Sequence, residues 1–145
     1  MKLSLLFDLA NVAVLPFWGL LLLAPRWSFT RRLFDSNLPF VAFALLYAYG
    51  FSQSLDPASV ESLANPTLAG LAQVFGTEPV IFTGWLHFLT LDLWAGRWIW
   101  EQSLAKGYPF RHSLALTLFA GPLGVLSHAV TGWICGALAS KTAQE

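Results

Sequence analysis

Four stretches of this sequence, near Leu3–Ala24, Leu38–Leu55, Val80–Trp100 and Ser113–Ala139, are long and apolar enough to cross a bilayer as helices. The hydrocarbon core is about 30 Å thick and a helix rises about 1.5 Å per residue. Lipid supplies no hydrogen-bonding partners, so such segments must satisfy their own backbone, which helices do. The expected fold class is therefore all-α: a polytopic membrane protein, with four transmembrane helices in one bundle forming a single membrane domain over residues 1–145. Composition agrees. With 56% hydrophobic residues, 11% charged residues and a mean hydropathy of +0.59, the chain is too apolar for an ordinary soluble domain of its length.

Composition also excludes several function classes. Eight Lys and Arg balance eight Asp and Glu, which leaves no basic field for nucleic acid. Cys135 is the only cysteine, so an intrachain disulfide and a cysteine-based metal cluster are both ruled out. The first apolar run follows Lys2 as a signal peptide would, but it holds Asp8 and Asn11 and ends in LLLLAPRW without a small-x-small cleavage pattern. It is expected to be retained. Pro16 and Pro122 lie inside apolar runs and are read as bends, not ends.

The connecting segments set an orientation. Arg26, Arg31 and Arg32 follow the first run and Lys106 and Arg111 follow the third, whereas the segment after the second run carries Asp56, Glu61 and Glu78 without any Lys or Arg. The positive-inside rule then puts the first and third connections on the cytoplasmic or stromal side and both termini on the other, against the minority vote of Lys2 and Lys141. Within the acidic connection, NPTLAGLAQVFG reads as a short interfacial helix. Asn65 is suited to cap it, Pro66 to its first turn, and Leu68, Leu71 and Phe75 to a shared face.

The third run contains WLHFLTLDLWAGRW, and with it three ionisable groups where a charge costs roughly 2.5–3.5 kcal/mol even on lenient insertion scales. Counting helix rise from the expected edges puts Asp8, Asn11, His87 and His128 in one outer layer, with Asp92, Tyr47 and Tyr49 nearer the midplane. A polar pocket open to the outer side is the expectation. Arg97 stands four residues before Glu101 near an interface, which reads as a structural, snorkelling ion pair. His128 has two open readings, a hydrogen bond to a neighbouring helix or a site role, and Asp8 is close enough to an edge to be simply solvated. Asp92 has no short route to either interface, which marks it as a site residue, either as a neutral carboxylic acid or as a paired carboxylate. His87 and Asp92 are about 140° apart round an ideal helix, so they share no narrow stripe. Trp27 and Trp100 suit an aromatic belt, while Trp85, Trp94 and Trp98 line the third run, where tryptophans can wall a long apolar ligand.

No Walker sequence, dinucleotide fingerprint, zinc-protease motif or nucleophile elbow is present, and no metal site is expected. His87 and His128 leave a small b-haem or assembly protein open as an alternative.

WLHFLTLDLWAGR together with RHSLALTLFAGPLG resembles the abscisic-acid-deficient-four family, known in plants as neoxanthin synthase and with short relatives in photosynthetic bacteria. NVAVLPFWGLLLLAP and SNLPFVAFALLYAY resemble the first two spans of the same family. The resemblance implies a role in modifying xanthophylls, plant members being associated with conversion of the diepoxide violaxanthin to allenic neoxanthin. It implies a carotenoid, or another long apolar ligand, as partner beside the lipid bilayer. Opening an epoxide to an allene needs an acid for the ring oxygen and a base for a proton on the adjacent polyene carbon, with no net oxidation and no cofactor. A carboxyl group desolvated in a membrane can stay protonated at neutral pH, and imidazole is a suitable base. Asp92 as acid and His87 as base are the expected catalytic pair, with Asp8, Asn11, Tyr47, Tyr49, Trp85, Trp94 and His128 as substrate-binding candidates. A non-catalytic carotenoid-binding or photoprotective protein remains the alternative. The chain begins almost at its first run, without an Arg- and Ser-rich transit segment, which points to a bacterial plasma or thylakoid membrane; a processed plant protein would sit in a chloroplast membrane.

Overall fold

The structure is a computed structural model that describes residues 2–142. Among the described residues it is all helix: α1 (Leu3–Leu23), α2 (Ser28–Asp35), α3 (Leu38–Gln53), α4 (Pro57–Ala64), α5 (Leu68–Val74), α6 (Glu78–Lys106) and α7 (Arg111–Thr142). Two of these, α1 and α7, are long and apolar enough to cross a membrane by length and composition alone. Only 28% of the apolar stretch of either is buried, so neither is a core helix hidden by the rest of the chain. α3 is apolar but only 16 residues long, about 24 Å. α6 carries Asp92, Arg97 and Glu101 and does not meet the same criterion.

The chain sorts into two compact units, and α1 and α6 contribute to both. The first comprises the start of the chain to Val14 with Asn37–Thr90. There α3 runs antiparallel to the first half of α6. Its Gly50 faces the Phe82 ring so closely that an added Cβ would come within 2.8 Å of it, and Ser54 Oγ lies 3.0 Å from Thr83 Oγ1. A missing side chain and a pair of short hydroxyls let two backbones approach, the usual device for helices that pack without a hydrophobic driving force. The expected helix in the acidic connection is present, but it starts at Leu68. Thr67, not Asn65, is its cap, its hydroxyl accepting from Gly70 N–H at 3.0 Å. A threonine hydroxyl reaches the third helical N–H as well as an asparagine does, and here it sits nearer the helix. α4 precedes it, its first turn held by Asp56, which accepts from Ser59 N–H and hydroxyl.

The second unit comprises Leu15–Ser36 with Leu91 onward. Trp18 lies against Gly96, where an added Cβ would meet the indole at 2.7 Å. α2 buries Phe34 between Phe17 and Trp100, with ring centroids 6.4 and 5.9 Å away. Trp100 Nε1–H donates to Pro25 O at 2.9 Å, and Arg111 Nε–H donates to Leu22 O at 3.1 Å. The second bond takes up a carbonyl left over in the last turn of α1, and the first takes up a carbonyl of the turn just beyond it.

α7 departs most from expectation. It is not a straight rod over 113–139, because Ala120 leaves the helical region at φ −157° and ψ 68°. Beyond it the helix folds back. Ser113 Oγ lies 3.0 Å from Ser127 Oγ, and His112 Nε2 lies 2.9 Å from Thr131 Oγ1. In a straight helix those pairs would be about 21 and 28 Å apart. The two arms therefore run antiparallel, and small residues line their contact: Ser113 and Thr117 on one, Gly124 and Ser127 on the other. An added Cβ at Gly124 would lie within 2.6 Å of the Thr117 Cα. The cause is local. Pro122 has no N–H to give and its ring blocks the carbonyl four residues back, while the glycines at 121 and 124 remove the side chains that would hold the arms apart. The second arm returns far enough for Gly132 to lie against the Tyr108 ring, so it leaves the unit at the Lys106–Arg111 end.

Candidate functional site

In the second unit, the fold-back of α7 brings Gly121 against Asp92. An added Cβ at Gly121 would overlap the Asp92 carboxyl, so glycine is required for this approach. Asp92 is half-buried, and among the described residues no hydrogen bond or ion pair engages its carboxyl. Arg97 is not its partner: its Nε–H donates to Glu101 Oε1 at 2.7 Å, the i,i+4 pair that the spacing predicts. Along the same part of α6, Leu91, Trp94 and Trp98 form a stripe at helical spacing and stay exposed, by 49%, 56% and 38%. An unengaged carboxyl thus flanks an open aromatic strip.

His128 is buried and lies beside Ser103, its Nδ1 3.4 Å from the hydroxyl, with the Trp98 ring edge-on at 5.2 Å. A straight α7 would have carried it away from that end of α6. The reversal instead puts it about 16 Å beyond Asp92 toward Lys106, measured along α6. The polar contact it makes is the helix-to-helix hydrogen bond of one of its two open readings.

In the first unit two further pairs of candidates meet. Trp85 Nε1–H donates to Asn11 Oδ1 at 2.8 Å, while Asn11 Nδ2–H donates to Phe7 O at 2.8 Å. Asn11 thereby uses both ends of its amide, and the Phe7 ring lies 5.8 Å from Trp85. His87 is exposed and packs against Tyr47, with ring centroids 6.0 Å apart, and Tyr47 stacks in turn on Phe51 at 6.0 Å. Asp8 and Tyr49 are exposed on α1 and α3 and join neither pair. An apolar cleft of about 220 Å³, lined by Leu3, Phe7, Ile81 and Phe82 among others, adjoins the Phe7–Trp85 contact. His87 and Asp92 belong to different units, and each takes its neighbours from its own. Among the described residues no three His, Cys, Asp or Glu side chains cluster as a metal site.

The sequence reading did not select Gly121, Gly96 or Ser103. The AGPLG run held the signal for the first of these: two glycines flanking a proline mark a place where a helix both stops and can be closely approached.

A family model described as ABA DEFICIENT 4-like matches residues 5–128. The protein named ABA DEFICIENT 4, chloroplastic, of Arabidopsis thaliana is 32% identical over 133 residues, covering 88% of this chain. The chain spans 60% of that relative's length. No solved structure matches the chain.

Proposed function

Because the chain belongs to the ABA DEFICIENT 4-like family, we propose that it is a xanthophyll-modifying membrane protein of a photosynthetic membrane, opening a carotenoid epoxide to an allene by acid–base chemistry. The observation that carries this reading is the free Asp92 carboxyl beside the exposed strip of Leu91, Trp94 and Trp98. A polyene is long, flat and apolar, and it lies well on aromatic rings that face lipid. Asp92 is then the proton donor to the epoxide oxygen. The C–O bond breaks to leave a tertiary cation, and loss of a proton from the adjacent polyene carbon forms the allene, so product and substrate are isomers. Lipid around the strip protects the cation from water. His87 is the proposed base, Tyr47 supporting its ring, and the two roles are tested one residue at a time. Trp94 in the second unit, and Asp8, Asn11, Tyr49 and Trp85 in the first, are proposed as contacts to an apolar ligand.

We also propose that α1, α3 and α6 cross the bilayer while α7 enters and returns, in place of four full crossings. The exposed apolar surface of α1 and α7 supports immersion in lipid, since soluble chains seldom leave such long helices uncovered. With the arginine-bearing turns inside, the fold-back puts the end of α7 on the cytoplasmic or stromal side, opposite to the expectation from four straight spans. α3 is matched to a locally thinner bilayer.

Purified protein incubated with violaxanthin in lipid is expected to yield a product of the same mass with a changed retention time and an allenic infrared band. Pigment that stays bound and chemically unchanged would replace catalysis by carotenoid binding. A Soret band in fresh material would favour the haem alternative instead.

A further inference from the structure

Where α1 ends and α7 begins, the second unit gathers basic side chains round two cavities. One, of about 480 Å³, is lined by Arg26, Tyr108, Phe110, Arg111 and His112 among others. The other, of about 440 Å³, shares Pro25 and Arg26 with it and adds Trp27, Ser28 and Arg31. Among the described residues, no aspartate or glutamate lines either. The acids nearby, Asp35 and Glu101, line a third cavity on the far side of Arg31, and Glu101 is engaged by Arg97 at 2.7 Å.

The walls are held in place. Arg111 Nε–H donates to Leu22 O at 3.1 Å, which ties the start of α7 to the end of α1 and leaves the two amino groups of the guanidinium for a ligand. His112 is held by Thr131 at 2.9 Å, and Gly107 makes the turn between α6 and α7 at φ 71°. Among the described residues, no hydrogen bond or ion pair engages the Arg26 guanidinium. Beside Arg26, Trp27 and Phe29 pack ring to ring at 5.0 Å and remain about half exposed, as aromatic side chains do at the headgroup level of a bilayer.

We propose that this cavity pair binds the anionic headgroup of a membrane lipid, its phosphate or sulfonate oxygens accepting from Arg26 and Arg111. A planar guanidinium matches two such oxygens at once, and basic recesses on the cytoplasmic face of membrane proteins take anionic headgroups for that reason. The proposal rests on the membrane reading above but on none of its catalytic chemistry.

The test uses the full chain in nanodiscs of phosphatidylcholine, or of the same lipid partly replaced by phosphatidylglycerol. Native mass spectrometry reads retained lipid and thermal unfolding reads stability. Wild type is expected to retain phosphatidylglycerol selectively and to unfold at a higher temperature when it is present. Arg26→Gln should weaken retention by about tenfold, the loss of one charge-assisted hydrogen bond, with an unchanged unfolding midpoint in phosphatidylcholine alone. Arg31→Gln, on the second cavity, gives a parallel readout should Arg26→Gln fold poorly. Equal retention by wild type and both variants would overturn the site. Full stabilisation by inorganic phosphate in neutral discs would also overturn it, assigning the cavity to a soluble anion. A chain that never enters discs would fail at the earlier step and sink the membrane reading itself.

Discussion

Asp92→Asn is expected to lower epoxide turnover by at least about a hundredfold, the lower range for loss of a general acid, while protein yield and bound pigment stay near wild type. Asparagine keeps the shape of the carboxyl and fits beside Gly121 as the carboxyl does. What it cannot do is give a proton to an oxygen. A structural carboxylate behaves differently, because removing its charge strands a partner, and here no partner among the described residues engages it. The three readouts therefore separate the roles on one preparation. Loss of yield and of bound pigment together would mark Asp92 as structural, and full turnover by the variant would remove it from the chemistry and leave Asp8 as the next carboxylate to examine. Arg97→Leu is the useful contrast, since it breaks the pair with Glu101 and should lower stability first.

The second large effect is all-or-none. With Cys135 replaced by serine, a chain carrying Ser113→Cys and Ser127→Cys should form an intramolecular disulfide almost completely on mild oxidation. The two hydroxyl oxygens are 3.0 Å apart across the arms of α7, within the approach that a disulfide needs. In an unbroken helix the same positions are separated by about 21 Å and cannot join. A mass lower by two hydrogens, reversed by reductant, reports the bond. Its absence, with both thiols shown to be reactive, would restore a straight fourth helix and with it the opposite placement of the C-terminal end.

The long helices were legible because their signal is simple: runs of apolar residues bounded by proline, glycine and charge. Leu3–Ala24 and Leu38–Leu55 were expected against Leu3–Leu23 and Leu38–Gln53 observed. α6 was underestimated at both ends, since Glu78 and Lys106 are polar residues that suit helix termini and not hydrocarbon. α2 was missed. Its arginines read as a topogenic connection, and only the tertiary contacts of Phe34 with Phe17 and Trp100 make eight residues a stable helix. The reversal of α7 was missed for a related reason: hydropathy is blind to direction, so two antiparallel arms and one long rod give the same profile. Only Gly121, Pro122 and Gly124 distinguish them, and a proline inside an apolar run is often no more than a kink.

At the candidate site, chemistry was more legible than company. The Arg97–Glu101 pair is legible from its spacing of four residues. The Trp85–Asn11 and Tyr47–His87 contacts join residues far apart in the sequence, which no periodicity predicts. Helix rise puts His128 in the outer layer only along a straight rod, and α7 folds back.

The central claim is that this chain changes a xanthophyll, and the most direct measurement is its expression in a carotenoid-producing host that accumulates epoxy-xanthophylls and lacks the gene, with extracted pigments compared by chromatography and mass. The account predicts that an epoxide peak shrinks while a peak of identical mass and allenic end group grows, and that the Asp92→Asn chain, present at equal level, leaves the profile as it was. An unchanged pigment profile with abundant, membrane-inserted wild-type protein would contradict it.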